Sequence, residues 1–66
     1  MHWQNLTNQE QHNTLVAAMG FGGSFVNRLA AAWQYADSVN SAKLGEAFPE
    51  IVDRYGPTSS FHKEAR

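Results

Sequence analysis

Apolar residues recur along the chain at helical spacing in four separate stretches. Thr7-Asn8-Gln9-Glu10 opens the first with a capping box. The Thr7 hydroxyl can accept the amide of Glu10 while the Glu10 carboxylate reaches back to the amide of Thr7. Leu6 precedes the cap, where a hydrophobic staple would sit. The pattern predicts a helix of about three turns over residues 9–19, with Leu15, Val16 and Met19 as its apolar side. Gly20-Phe21-Gly22-Gly23 then ends it, because clustered glycines admit left-handed backbone at little steric cost.

Ser24 is a suitable N-cap for a second helix over residues 24–36. At about 100° per residue, Phe25, Val26, Leu29, Ala30, Ala32, Trp33 and Ala36 share roughly 160° of its circumference. Asn27, Arg28, Gln34 and Tyr35 occupy the remainder. This is the clearest amphipathic stretch and is expected to be the central core helix. Asp37-Ser38-Val39-Asn40-Ser41 reads as a turn, since short polar side chains compete for backbone hydrogen bonds. Asp37, Ser38 or Ser41 could cap a third helix ending near residue 48, with Leu44, Ala47 and Phe48 inward. Pro49 disfavours helical geometry at Phe48 and suits the first position of a new helix, Pro49–Tyr55. Ile51, Val52 and Tyr55 should face its core, and Gly56-Pro57 should end it.

The expectation is an all-α fold, a compact bundle of three helices plus a short fourth around one shared core. A helical hairpin that dimerises to complete its core is the alternative. With 66 residues the chain is read as a single domain. Residues 1–6 and 58–66 are expected to be flexible, with Trp3 and Phe61 as anchors.

Composition narrows the chemistry. The chain has no cysteine, which removes disulfides, thiolate metal sites and cysteine nucleophiles together. Two Trp, four Phe and two Tyr supply buried area for a small core. Five Lys+Arg against six Asp+Glu leave a formal charge of −1. The cations Arg28, Lys43, Arg54, Lys63 and Arg66 are scattered rather than gathered into the basic stripe of a nucleic-acid binder. No apolar run approaches a membrane span, and no basic-then-apolar leader is visible at the N-terminus.

The candidate sites each have a plain structural alternative. The Gly20–Ser24 stretch lacks the Lys of a phosphate-binding loop and any preceding strand, so it is read as an interhelical turn with Phe21 folding back or presented at its tip. His2, His12 and His62 do not pair at metal-binding spacing. Ser24 has no placed base. No catalytic group, metal or cofactor is therefore expected, and the chain is read as a non-enzyme. Glu46, Glu50 and Asp53 would form an acidic stripe if the helix ran through Pro49, although Glu50 could instead pair with Arg54 at i, i+4. The glycine turn and second helix have the proportions of a helix-turn-helix, offering Asn27, Arg28 and Gln34 to bases. Partner contact is expected to fall among Phe21, Asn27, Arg28, Gln34, Tyr35, Glu46, Glu50 and Asp53.

From residue 20 to 57 the chain resembles a group of small uncharacterised proteins of DNA bacteriophages and prophages. The resemblance is carried by Gly20-Phe21-Gly22-Gly23-Ser24-Phe25-Val26, Leu29-Ala30-Ala31-Ala32-Trp33 and Ala36-Asp37-Ser38-Val39-Asn40. It continues through Leu44, Ala47-Phe48-Pro49-Glu50-Ile51 and Arg54-Tyr55. It implies action in the cytoplasm of a bacterial host by contact with a host or phage protein. Inhibition of a defence or regulatory factor, in the manner of an anti-CRISPR, is one form. A small DNA-binding regulator is the second expectation, and a virion structural or assembly component the third. The chain is expected to be a monomer or homodimer without membrane attachment.

Overall fold

A computed structural model describes residues 2–59. The 3₁₀ turn Trp3–Asn5 leads into four helices: α1 (Asn8–Phe21), α2 (Ser24–Gln34), α3 (Ser38–Ala47) and α4 (Pro49–Tyr55). Three helices and a short fourth, with no strand among the described residues, are the all-α architecture that the periodicity predicts.

The capping box forms in full. The Glu10 amide donates to Thr7 Oγ1 at 3.1 Å and the Thr7 amide to Glu10 Oε1 at 2.8 Å. Leu6 goes into the core, but the position it would staple is Gln11, whose side chain donates to the Trp3 carbonyl at 2.9 Å. α1 then runs past its expected end, keeping Gly20 and Phe21 helical, and stops at Gly22. The left-handed turn is not found: among the described residues no glycine has positive φ. Gly22 is extended, at φ −80° and ψ 162°. Glycine serves close approach here instead, because a Cβ would meet Val26 and stand 2.6 Å from the Ala18 carbonyl oxygen.

α1 buries Asn13, Thr14, Leu15, Ala17 and Ala18, whereas Val16 and Met19 are only half-buried. Its inner face is thus more polar than its apolar residues suggest. The cost of burying those polar groups is offset locally. Thr14 Oγ1 donates to the Glu10 carbonyl at 2.7 Å, and Gln9 Nε2 to Asn13 Oδ1 at 3.0 Å.

α2 departs from expectation at both ends. Gly23, not Ser24, is the N-cap, without a side-chain bond, and the helix ends at Gln34. Ala30 and Trp33 are buried; Val26, Leu29 and Ala36 are half-buried; Phe25 and Ala32 are exposed. The wide apolar arc is therefore only partly used. α1 and α3 cover parts of α2, while the short α4 packs on α1 and α3 and leaves Phe25 uncovered.

Asp37 caps α3, its Oδ1 accepting the Asn40 amide at 2.8 Å. The expected turn over residues 37–41 is thus helix from Ser38 onward, since one N-cap carboxylate is enough to start it. Leu44 and Phe48 are half-buried and Ala47 is exposed. The buried residue of α3 is Gly45, where a Cβ would run into Trp3 and lie 2.7 Å from its Cγ. Trp3 packs over that gap, and its ring stands 4.8 Å from the Trp33 ring at 47°. Residues 2–6, read from sequence as flexible, thus place Trp3 and Leu6 at 5% and 9% exposure in the core.

Phe48, at φ −127° and ψ 59°, breaks the chain before Pro49. Ile51, Val52 and Tyr55 face inward as the pattern predicts, and α4 ends at Gly56. The Ser59 amide donates to the Gly56 carbonyl at 2.8 Å, closing a turn. Phe61, His62, Lys63 and Arg66 lie outside the described residues.

Candidate functional site

Two grooves hold four of the eight residues to which the sequence pointed for partner contact. The larger, about 460 Å³, lies where the end of α2 and the start of α3 meet α1. Its walls include Asn8, Gln11, His12, Gln34 and Tyr35, with Ser41 beside Trp3. Amides, hydroxyls and rings make up its polar surface, and no Lys, Arg, Asp or Glu is among its described lining residues.

Local backbone chemistry sets this corner. The last turn of α2 tightens, with the Tyr35 amide donating to Ala32 and the Ala36 amide to Trp33, each at 3.1 Å. Asp37 then starts α3 at once. Tyr35 is left at the corner with 91% of its surface exposed. Behind it, Ser41 Oγ accepts the Trp3 indole N–H at 3.0 Å and the Trp33 indole N–H at 3.2 Å. One hydroxyl thus ties the N-terminal turn, α2 and α3 together beside the groove. Among the described residues no buried side-chain nitrogen or oxygen lacks a partner.

The second groove, about 330 Å³, separates the α1–α2 corner from α4. Phe21, Val26, Ile51 and Tyr55 give it apolar walls, and Glu50 and Arg54 line it as well. The Arg54 guanidinium carbon stands 5.9 Å from the Tyr55 ring centroid. Phe25 is not among the described residues that line this groove. It is 67% exposed and touches only the edge of the core, its ring 6.4 Å from that of Phe48.

The eight contact candidates therefore scatter. Gln34 and Tyr35 share the larger groove, and Phe21 and Glu50 the second. Phe21 is half exposed rather than folded into the core. Asn27 holds the end of α1, its Nδ2 donating to the Met19 carbonyl at 2.7 Å. Arg28 is exposed on α2 and Asp53 on α4. Glu46 sits on α3 near His2 and Gln4, beyond the break at Phe48. The acidic stripe with Glu50 and Asp53 therefore does not run along one continuous helix.

Sequence reasoning weighed His12 only as a metal ligand and Ser41 only as a helix cap, did not single out Gln11, and counted Phe25 as core; the fold brings the first three to the larger groove. Among the described residues no group of His, Asp and Glu is placed to hold a metal ion. No described helix is long and apolar enough to cross a membrane. Comparison with protein-family models, curated proteins and solved structures finds no match.

Proposed function

We propose that this is a non-enzymatic protein that acts by binding another protein at the larger groove, with Tyr35 as its anchor. The observation that carries this reading is an aromatic side chain 91% exposed at the rim of a groove whose walls combine amides and hydroxyls with Trp3, His12, Leu15 and Ala36. Tyrosine is enriched among the residues that dominate binding energy, because it covers much area at low entropic cost and offers a hydroxyl. Asn8, Gln11 and Gln34 bring amide groups to the same groove, a match for a peptide backbone.

The resemblance of residues 20–57 to phage and prophage proteins supports a host or phage protein as the partner, met in the bacterial cytoplasm. Inhibition of a host defence or regulatory factor is one form of such contact. A DNA-binding reading has less behind it. The described cations Arg28, Lys43 and Arg54 stand on three different helices, and Asn27 is committed to the end of α1.

The test is affinity capture from the bacterial host with the wild-type chain, Tyr35→Ala and Lys43→Ala. The wild type and Lys43→Ala should retain one stoichiometric protein. Tyr35→Ala should lose about 2 kcal/mol of binding, roughly thirtyfold in affinity. Absence of a stoichiometric partner, or equal capture by Tyr35→Ala, would overturn the proposal.

A further inference from the structure

We propose that the larger groove takes an extended, uncharged peptide segment, and that Ser41 donates its hydroxyl hydrogen to a backbone carbonyl of that segment. This rests on the reading of that groove as the partner site and names what the partner brings to it.

Ser41 Oγ accepts the Trp3 indole N–H at 3.0 Å and the Trp33 indole N–H at 3.2 Å. A hydroxyl oxygen has two lone pairs and one hydrogen. Both lone pairs are therefore spent, and what remains is a donor. The two indoles and Cβ occupy three of the four directions around the oxygen, so the O–H is held along the fourth. None of the hydrogen bonds among the described residues uses it. Ser41 lines the groove, where an acceptor can reach it. Accepting two N–H bonds also polarises the hydroxyl and strengthens it as a donor.

The rest of the groove selects the acceptor. No Lys, Arg, Asp or Glu is among its described lining residues, so a charged segment would be desolvated there without an opposite charge. That disfavours a carboxylate and favours a neutral carbonyl. A helix interior spends its carbonyls on its own amides, whereas an extended segment presents them. Asn8 and Gln34 offer amide donors and acceptors to the neighbouring peptide groups, and Leu15, Trp3 and Ala36 add apolar wall for a side chain.

Selection of random linear peptides against the full chain supplies the probe. Peptides that the wild type retains and Tyr35→Ala releases are synthesised, and each backbone amide is replaced in turn by an ester, whose carbonyl is a poorer acceptor. At one position the ester should weaken binding about fivefold more in the wild type than in Ser41→Ala. A Ser41 that only holds the fold would give the same ester effect in both chains. A second readout needs no variant. Trp33 is 1% exposed and is not among the described residues that line the groove, so its indole N–H senses the groove through Ser41. The amide peptide should move that proton resonance downfield, and the ester at the coupled position should move it less. If Ser41→Ala does not fold, this resonance decides the matter. Three results would each overturn the proposal: no Tyr35-dependent peptide, peptides that bind through charged side chains, or a Trp33 resonance that no peptide moves. Tyr35-dependent capture from the host with these effects absent would remove the Ser41 proposal and leave the partner reading standing.

Discussion

Ser41 is the residue on which three parts of the chain converge. A serine oxygen has two lone pairs, and here both accept indole N–H groups, from Trp3 and Trp33. Ser41→Ala would leave two half-buried donors without their acceptor at a cost of about 2 kcal/mol. Urea denaturation followed by tryptophan fluorescence should show that loss. A change under about 0.5 kcal/mol would mean that water replaces the hydroxyl and that the node does not hold the fold. Nothing in the sequence marks Ser41 for this role, because its partners lie 38 and 8 residues away. In sequence it reads as a turn residue or a possible cap of the third helix. Tyr35 was legible as lying off the apolar face. Its near-complete exposure was not, since that depends on where α2 ends and how tightly α3 begins.

At the scale of the helices, local chemistry was readable and long-range coverage was not. The Thr7–Glu10 box, the Asp37 cap and the Pro49 start involve residues within one turn of each other, so spacing alone places them. Thr7→Ala should accordingly lower stability by about 1 kcal/mol in thermal or urea unfolding. The glycines show the other case. Clustered glycine suggested left-handed turns, but the structure uses Gly22 and Gly45 where a Cβ would strike a neighbour. Gly20, by contrast, is helical and a Cβ there meets nothing within 4 Å. Gly20→Ala should stabilise by roughly 0.5 kcal/mol through helix propensity. Gly45→Ala should destabilise, because the Trp3 ring must move. Equal effects of the two substitutions would contradict the packing of Trp3 on α3. Phe25 was misplaced for a related reason. Periodicity gives the face on which a residue lies, but not whether another helix is long enough to cover that face.

For the whole molecule, the 66 residues imply a total stability of only about 3–10 kcal/mol. A single large core side chain is a substantial part of that. Trp3→Ala should cost about 3–5 kcal/mol and leave much of the chain unfolded at room temperature. Circular dichroism should record that loss of helix. Retained helix and an unchanged melting temperature would show that residues 2–6 are not part of the core. The all-α architecture was legible because four amphipathic stretches with punctuating caps need no distant information. The two grooves were not, as each is built from residues on three helices or at a corner between them. The proposed function rests on that assembly, with the corner at Tyr35 as the proposed place of partner contact. Site-specific photocrosslinking in the bacterial host tests this most directly, with a photoreactive phenylalanine at position 35 and, as control, at position 43. The account predicts one crosslinked protein from position 35 and none from position 43. Crosslinks from position 43 alone, or from neither position, would contradict it.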